Sequence, residues 1–467
     1  AMPASFFEQR PHMKGAEEQG HFAMCTSVPE VRQWLTESLA SVFADVPDLG
    51  GVFTITASEN LTNCPSRGGH QQCPRCKERP IPEIIAEVNT AIEAGVHRGN
   101  PDARVLVWDW AWRNEWAEPI IQALPDRVSL MSVSEWDLPI QRGGVSTAVG
   151  EYSISSVGPG PRAQAHWALA RQRGLPTMAK VQVNCTWELS AVPYLPAMDL
   201  VAQHMANLAQ AGVDGLMLSW TLGGYPSPNL QLASLFFGDS PPATPEEALT
   251  RLAVDRYGPK AAGHARRAWS AFSAGFAEFP YHGSTVYNAP MQYGPMNLLH
   301  PEPTGFHATM VGFPYDDLDR WRSVYPADVF GRQFEKVADG WRKGLDGFRE
   351  ALTEATEPAH RANLTEDLRV AEAAWIHFAS VANQIRFTLA RNTLASATLP
   401  AEQRAVHRAT MKAACEDEIE LAKRLFHLTR QDSRIGFEAS NHYYYLPLDL
   451  VEKVIDCTDI LEHRLPD

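Results

Sequence analysis

Between about residues 26 and 220 the chain alternates short apolar segments with segments whose apolar residues recur at helical spacing. Apolar runs of this length, each followed by an amphipathic helix, predict buried strands joined by helical crossovers, which is the pattern of a parallel β-sheet. The helix that opens this region has Ser27 three residues before Glu30, a spacing that predicts a capping box. The predicted strands cover residues 51–57, 104–110, 128–134, 177–185 and 214–220.

A TIM-type (β/α)8 barrel fits this pattern best, because each predicted strand ends in a polar or aromatic cluster and such barrels carry their sites at the strands' C-terminal ends. The barrel has eight strands and the sequence shows five. We therefore expect the first three to lie before residue 1, on an N-terminal fragment or a second polypeptide. A five-stranded open sheet is the alternative.

The second half of the chain has a different pattern. Long amphipathic helices are predicted after residue 235, and residues 281–330 are predicted to be irregular. The sequence thus predicts a barrel domain over residues 1–235 and an α-helical C-terminal domain over residues 236–467. The predicted helices cover residues 245–256, 260–279, 331–355, 363–393 and 402–430.

Composition narrows the class of partner. A chain of 467 residues is longer than the roughly 250 to 300 residues that one hydrophobic core usually serves, in agreement with two domains. A net charge of -14 argues against a nucleic-acid or anionic-membrane partner, since both are bound through clustered Lys and Arg. No apolar run is long enough to span a membrane. The opening residues AMPASFFEQR show no apolar signal segment, which leaves the cytoplasm and the periplasm both open.

The predicted strand ends carry the residues of interest. A single Trp beside an Asp would be a core residue next to a helix cap, but four strand ends with Trp, a carboxylate or both favour a carbohydrate site. There, one protonated acid donates to the glycosidic oxygen and aromatic faces receive the sugar ring. The candidates are Ser58, Glu59, Asn60, Trp108, Asp109, Trp110, Glu135, Trp136, Trp187, Glu188, Trp220 and Tyr225.

The segment HFAMCTSVPEVRQWLTESLASVFADVPDLGGVFTITASEN resembles the layout of family 20 glycoside hydrolases, the β-N-acetylhexosaminidases. The resemblance continues through CPRC, VLVWDWAW and GLMLSWTLGG, and covers about residues 20–225. It implies that Glu59 is the general acid/base of a retaining mechanism in which the substrate's 2-acetamido group is the nucleophile. The chain is also similar to divergent β-N-acetylgalactosaminidase groups on the same barrel, so the expected substrate sugar is GalNAc, GlcNAc or both.

Two positions depart from the family pattern. Ser58 stands where the family has the aspartate that orients the acetamido group, and Leu222 stands where a glutamate would hold sugar hydroxyls. Because Ser58 brings no charge, we expect Asp109, Glu135 or Glu188 to supply it from another strand. The predicted function is an exo-acting β-N-acetylhexosaminidase that needs no catalytic cofactor. An endo-acting relative and a catalytically silent carbohydrate-binding protein are the alternatives.

A cluster of possible metal ligands follows Glu59. Cys64, His70, Cys73 and Cys76 lie within thirteen residues, which is sufficient for a closed tetrahedral zinc site that braces this loop. Free thiols, or a disulfide from Cys64 to Cys73 or Cys76, are the other interpretations. Cys25 is predicted to be a core residue.

Overall fold

The structure, a computed structural model, describes residues 1–57, 60–220, 222–310, 312–438 and 443–465. Among the helices of these ranges, none combines the length and the apolar composition that a bilayer crossing requires. The strands are β1 (Met2–Pro3), β2 (Lys14–Glu18), β3 (His21–Met24), β4 (Gly51–Ile55), β5 (Arg104–Trp108), β6 (Ser129–Val133), β7 (Pro139–Arg142), β8 (Val145–Ala148), β9 (Thr177–Lys180), β10 (Gly215–Met217), β11 (Phe437–Glu438) and β12 (Tyr443–Tyr444). The helices are α1 (Pro29–Asp45), α2 (Ile81–Gly99), α3 (Asn114–Ala123), α4 (Pro161–Gln172), α5 (Met198–Ala211), α6 (Pro228–Phe236), α7 (Pro245–Tyr257), α8 (Pro259–Phe276), α9 (Gly283–Asn288), α10 (Leu318–Arg322), α11 (Ala327–Glu354), α12 (Pro358–Leu394), α13 (Ala401–Gln431) and α14 (Pro447–Asp459).

The chain forms two compact units that are each discontinuous in sequence. The first unit comprises residues 1–134, 160–180 and 211–217, and the second unit comprises residues 135–159, 181–210 and 218–467. The sequence predicts one boundary at residue 235, and that assignment stays a prediction.

The first unit is built on a five-stranded parallel sheet in the order β10-β9-β6-β5-β4. Each predicted strand is present, so the prediction of a parallel α/β sheet is confirmed, but β9 and β10 are less than half as long as predicted. The sheet is curled into a half-barrel. Since the described residues supply five parallel strands to it, the complete eight-stranded barrel stays a prediction.

Helices α2 and α3 cover this sheet. Their apolar side chains pack against those of the strands in one buried core. Val105 and Val107 of β5 and Leu130 of β6 are fully or almost fully buried in this core. Helix α2 also packs closely on α1: a Cβ at Gly95 would lie 2.5 Å from the carbonyl oxygen of Thr36, so the close approach requires glycine. This packing positions the strand ends that carry the candidate residues.

The first 24 residues form a small antiparallel sheet in the order β1-β3-β2, which the sequence analysis did not predict. Helix α1 follows it and begins at Pro29, with Val28 at the N-cap and no side-chain cap. The predicted capping box at Ser27 is therefore wrong. The Ser27 hydroxyl lies 3.2 Å from the Sγ atom of Cys76 instead.

The second unit contains an antiparallel hairpin, β7–β8, that the sequence analysis also missed. Its two-residue turn is Gly143-Gly144, with φ angles of 55° and 80°. Such a turn needs positive φ at both central residues, which glycine adopts without strain. The Gly-Gly pair was the available signal for this hairpin.

The rest of the second unit is predominantly helical, which confirms the prediction of an α-helical C-terminal region. Helices α8, α11, α12, α13 and α14 pack successively against one another. The described residues between 281 and 326 contain only short helical segments between irregular stretches, as predicted, whereas the long helix α11 begins at Ala327, inside the range predicted to be irregular. A buried carboxylate braces the unit: Asp367 accepts hydrogen bonds from Tyr194 and Tyr257 (both 2.5 Å) and from Nε of Arg256 (2.7 Å).

His377 is a fully buried histidine on α12. Its Nδ1 lies 2.6 Å from the carbonyl oxygen of Met291 and its Nε2 lies 2.8 Å from the hydroxyl of Tyr445. Burial lowers the pKa of His377 to about 4. Because this folded-state pKa is below the unfolded value of about 6.5, the unfolded chain takes up the proton first as the pH falls. The contribution to stability is therefore complete above about pH 6.5 and decreases by about 1.4 kcal/mol per pH unit as the pH falls toward the folded-state pKa.

We expect His377→Gln to reduce the slope of the unfolding free energy against pH by about 1.4 kcal/mol per pH unit over this range, because glutamine takes up no proton. Urea unfolding at about pH 7 and about pH 5 measures the slope for the wild type and the variant. The exposed His427 on α13 offers a matched control, and His427→Gln should keep the wild-type slope. An unchanged slope in His377→Gln would show that this ring does not remain neutral.

Candidate functional site

The carboxyl ends of the parallel strands in the first unit lie along one edge of the sheet. Ile55, the last residue of β4, pairs in register with Trp108 at the end of β5, and Trp108 pairs with Met131 of β6. Ser58 and Glu59 follow β4 by three and four residues and lie outside the described residues. Their positions and roles therefore stay predictions.

Asp109 is the best-defined carboxylate of the first unit and is fully buried. Its Oδ2 accepts a hydrogen bond from the Ser132 hydroxyl at 2.7 Å and lies 3.2 Å from Nη1 of Arg162 and 2.6 Å from Nδ1 of His166. Burial would raise the pKa of Asp109, but the charge of Arg162 and the hydrogen bonds from His166 and Ser132 outweigh it, so the pKa lies below its usual value. Asp109 is therefore ionised, with its charge balanced inside the protein.

Arg162 clamps the loop between β5 and α3. Its Nη2 donates to the carbonyl oxygens of Asp109 at 3.0 Å and Trp112 at 3.2 Å, and its Nε donates to Oδ1 of Asn114 at 3.2 Å. The same loop contains Ala111 at a positive φ of 60°. Arg162 and Asp109 together thus hold a turn that directly follows a strand end.

Arg162 and His166 are residues that the sequence analysis missed. They lie four residues apart near the start of α4, so both side chains lie on one face of the helix. That spacing was visible in PRAQAHWALARQRG, but nothing in the sequence identified Asp109 as their common partner. Asp109, predicted to contact substrate, is instead buried among these positioning groups.

The aromatic residues of the first unit differ in accessibility. Trp108 is buried, with its ring 6.2 Å from that of Phe53 and 6.0 Å from that of Trp110. Trp110 is half-buried and Asn60 is exposed. Of the predicted sugar-contacting residues in this unit, Trp110 and Asn60 therefore keep surface that a ligand can reach, and Trp108 is part of the core.

Glu188, in the second unit, is fully buried in a shell of donors. Its carboxylate accepts hydrogen bonds from the Ser153 hydroxyl and the Ile154 backbone N–H, both at 2.7 Å, and from the Thr186 hydroxyl at 2.8 Å. The Ser155 hydroxyl and backbone N–H donate to it as well. Burial raises the pKa of Glu188 above its usual value in spite of these donors. The geometry gives Glu188 a structural role in holding residues 153–155, whereas the prediction was contact with substrate.

Glu135 is also fully buried, next to a histidine of the same unit. Its Oε1 lies 3.2 Å from Nδ1 of His204. Burial lowers the pKa of His204 to about 3, so this ring is neutral near physiological pH. All three carboxylates predicted to supply charge to an acetamido group are thus inside the protein and without exposed surface.

The predicted aromatic ligands of the second unit fall into two groups. Trp187 is buried, with its ring 5.8 Å from that of Tyr287. Trp220 is 37% exposed, Trp136 is half-buried, and Tyr225 is half-buried with the Arg434 guanidinium 5.8 Å from its ring centre. Leu222, which the sequence analysis noted as a departure from the family 20 pattern, is buried as an apolar residue.

A cavity of about 600 Å³ lies elsewhere in the second unit. Its walls include Tyr293, Phe313, Tyr315 and Asp449. The rings of Tyr293 and Phe313 are stacked with their centres 5.6 Å apart. Aromatic walls with a few polar groups are typical of ligand pockets.

The predicted metal ligands are only partly brought together. The Sγ atoms of Cys64, Cys73 and Cys76 cluster with that of Cys25, and all four lie within 4.8 Å of one another. His70 is outside this group, and its Nε2 accepts a hydrogen bond from Nε2 of Gln71 at 2.8 Å. The predicted grouping of His70 with the three cysteines is therefore wrong, and Cys25 is the fourth member of the cluster. Cys25 is buried, as predicted, but in a thiol cluster rather than in a purely apolar core.

No protein-family model and no curated protein matches this sequence. Among solved structures, a family 138 glycoside hydrolase targeting pectin rhamnogalacturonan II matches with a TM-score of 0.55 and 11% identity, over 98% of this chain and 54% of that one. A family 89 glycoside hydrolase from Clostridium perfringens, in complex with PUGNAc, gives a TM-score of 0.44 and 10% identity, over 99% of this chain and 50% of that one. The chain thus spans about half the length of these structures. At this identity the first similarity concerns the fold alone.

Proposed function

We propose that this protein is a glycoside hydrolase. The observation that carries this proposal is the strand-end edge of the first unit, where Ile55 at the end of β4 pairs in register with Trp108 at the end of β5. In the sequence, Glu59 follows Ile55 by four residues. The fold similarity to a family 138 glycoside hydrolase supports it. In glycosidic cleavage a carboxylic acid protonates the leaving oxygen, and aromatic side chains commonly line the pocket that receives the sugar ring.

We further propose that the reaction releases β-linked N-acetylhexosamine with retention, with Glu59 as the general acid/base. In the first step Glu59 gives its proton to the glycosidic oxygen while the acetamido carbonyl oxygen attacks the anomeric carbon and the bond to the leaving group breaks. The acetamido oxygen and the anomeric carbon are then part of a five-membered ring. In the second step Glu59 takes a proton from the water that attacks the anomeric carbon, and the bond from this carbon to the acetamido oxygen breaks. The family resemblance around FTITASEN motivates this assignment.

The burial of the other carboxylates limits their roles in this mechanism. Asp109 is balanced by Arg162, and Glu188 is saturated by hydrogen-bond donors. We therefore assign positioning roles to both, and we assign sugar contact in the first unit to Trp110 and Asn60, which keep accessible surface. For Ser58 we propose a hydrogen bond from or to its neutral hydroxyl group.

The test is hydrolysis of p-nitrophenyl glycosides by the wild-type chain. We expect release of p-nitrophenol from the β-GalNAc or β-GlcNAc glycoside, none from the corresponding glucoside or galactoside, and a first-formed sugar of β configuration by NMR. A thiazoline analogue of the acetamido intermediate should inhibit competitively.

The remaining outcomes separate the alternatives. Cleavage within a glycan chain without release of terminal sugar would indicate an endo-acting enzyme. Glycan binding by calorimetry without any cleavage would indicate a carbohydrate-binding protein. Turnover of glycosides that lack the acetamido group, with no effect of the thiazoline, would contradict the substrate-assisted mechanism.

A further inference from the structure

Four buried cysteines of the first unit have the spacing of a metal site. The Sγ atom of Cys25 lies 3.6 Å from that of Cys73 and 3.5 Å from that of Cys76, and the set lies within 4.8 Å. A tetrahedral zinc ion with Zn–S bonds of about 2.3 Å places its sulfur ligands about 3.8 Å apart. A disulfide would require about 2.05 Å between two sulfur atoms. The observed distances match the edges of a tetrahedron and are too long for a bridge.

We propose that Cys25, Cys64, Cys73 and Cys76 bind one structural zinc ion. The Cys73 and Cys76 pair has the C-x2-C spacing of a zinc knuckle. Cys64 comes from the same loop between β4 and α2, and Cys25 directly follows β3. Four cysteine ligands fill the coordination sphere, so the ion has no open position for a substrate or a water and acts on structure alone.

The surroundings of the cluster fit thiolate ligands. The backbone N–H of Ala16 donates to Sγ of Cys64 at 3.4 Å, and Nε of Arg75 donates to Sγ of Cys25 at 3.3 Å. Four thiolates around Zn²⁺ carry a net charge of about -2, which such donors and a guanidinium partly neutralise. The Ser27 hydroxyl, 3.2 Å from Sγ of Cys76, completes this outer shell.

The ion would join two parts of the first unit that the chain separates. Cys25 directly follows the last residue of β3 in the N-terminal antiparallel sheet, and Cys64 lies on the loop that leaves β4, five residues after Glu59 in the sequence. The cluster is packed among apolar residues, including Leu61 and Ile84, which exclude water from the sulfur atoms. Zinc would therefore hold the loop after β4 against the N-terminal sheet, whether or not the chain is a glycosidase.

The test is the metal content of the full chain and of three variants, measured by elemental analysis after gel filtration. We expect one zinc per wild-type chain, its loss in Cys25→Ser, and its retention in His70→Ala. Cys185→Ser changes a buried cysteine of the second unit outside the cluster and should also retain zinc. Replacement of zinc by Co²⁺ in the wild type should produce the thiolate-to-cobalt charge-transfer absorption of a four-sulfur tetrahedral site.

The design remains decisive if Cys25→Ser does not fold. Cys25→His keeps a ligand at this position and should bind Co²⁺ with a weaker charge-transfer band. Loss of zinc in His70→Ala with retention in Cys25→Ser would restore the ligand set predicted from spacing and overturn this one. Four reduced thiols without zinc, another metal in stoichiometric amount, or a disulfide found by mass spectrometry would each overturn it as well.

Discussion

Replacing Glu59 by glutamine is expected to slow hydrolysis of natural β-N-acetylhexosaminides by about 100- to 10,000-fold, the usual contribution of a general acid/base. The amide can neither give a proton to the departing oxygen nor take one from the attacking water. The cost of losing the proton donor depends on the leaving group, because p-nitrophenolate departs almost without protonation and an alkoxide does not. We therefore expect a larger loss on an oligosaccharide than on the p-nitrophenyl glycoside.

The measurement is kcat and kcat/KM for both substrates, with the unfolding midpoint recorded to show that the variant is folded. Glu118 on α3 provides a matched control, because it is an exposed glutamate in the same unit and Glu118→Gln should keep wild-type kinetics. If Glu59→Gln hydrolyses both substrates at the wild-type rate, Glu59 is not the proton donor and the assignment from the family resemblance fails.

The fold was predictable wherever a repeating pattern carried it. Buried strands such as β5 and β6 and long helices such as α12 leave a periodic apolar signal, and both kinds of element were located within a few residues. The N-terminal sheet and the β7–β8 hairpin were missed because their strands, such as KGAEE, PIQR and VSTA, are short and lack the apolar run that marks β5 and β6. For such strands, turn residues like Gly143-Gly144 carry more information than apolar periodicity.

The candidate site was less predictable, because a strand-end position does not determine what surrounds a side chain. Asp109 directly follows β5 as predicted, whereas Glu188 lies eight residues after the end of β9. The buried partners of these two carboxylates, Arg162 and Ser153, come from segments distant in sequence. The partners in the thiol cluster could likewise not be predicted from sequence spacing alone. Spacing along the loop favoured His70, whereas the structure supplies Cys25 from 39 residues before Cys64.

The buried ion pair between Arg162 and Asp109 is the interaction whose loss we expect to destabilise the first unit most. Nη1 of Arg162 lies 3.2 Å from Oδ2 of Asp109, and both side chains are almost completely buried. Arg162→Met keeps much of the side-chain volume but leaves a carboxylate inside the protein with only His166 and Ser132 as partners. Removing one member of such a pair typically costs about 3–5 kcal/mol of unfolding free energy.

Urea unfolding of Arg162→Met tests this expectation, and Arg171→Met on the exposed side of the same helix should change stability by only about 0.5 kcal/mol. Pairing Arg162→Met with Asp109→Asn should restore part of the loss, because the uncompensated charge is then gone. The pH dependence of the unfolding free energy provides a second test of this ion pair. In the wild type the lowered pKa of Asp109 contributes stability above the unfolded value of about 3.9, and this is lost as the pH falls through the folded-state pKa.

In Arg162→Met the effect of burial on Asp109 is no longer outweighed by Arg162, so its pKa should rise and protonation should relieve the buried charge at a higher pH. The stability difference from the wild type should therefore be largest at about pH 7 and smaller at about pH 5. A difference that is equal at both pH values would mean that Arg162 acts through packing and its hydrogen bonds to the loop carbonyls. Equal stability of Arg162→Met and Arg171→Met would mean that the clamp on the loop after β5 is not an important source of stability.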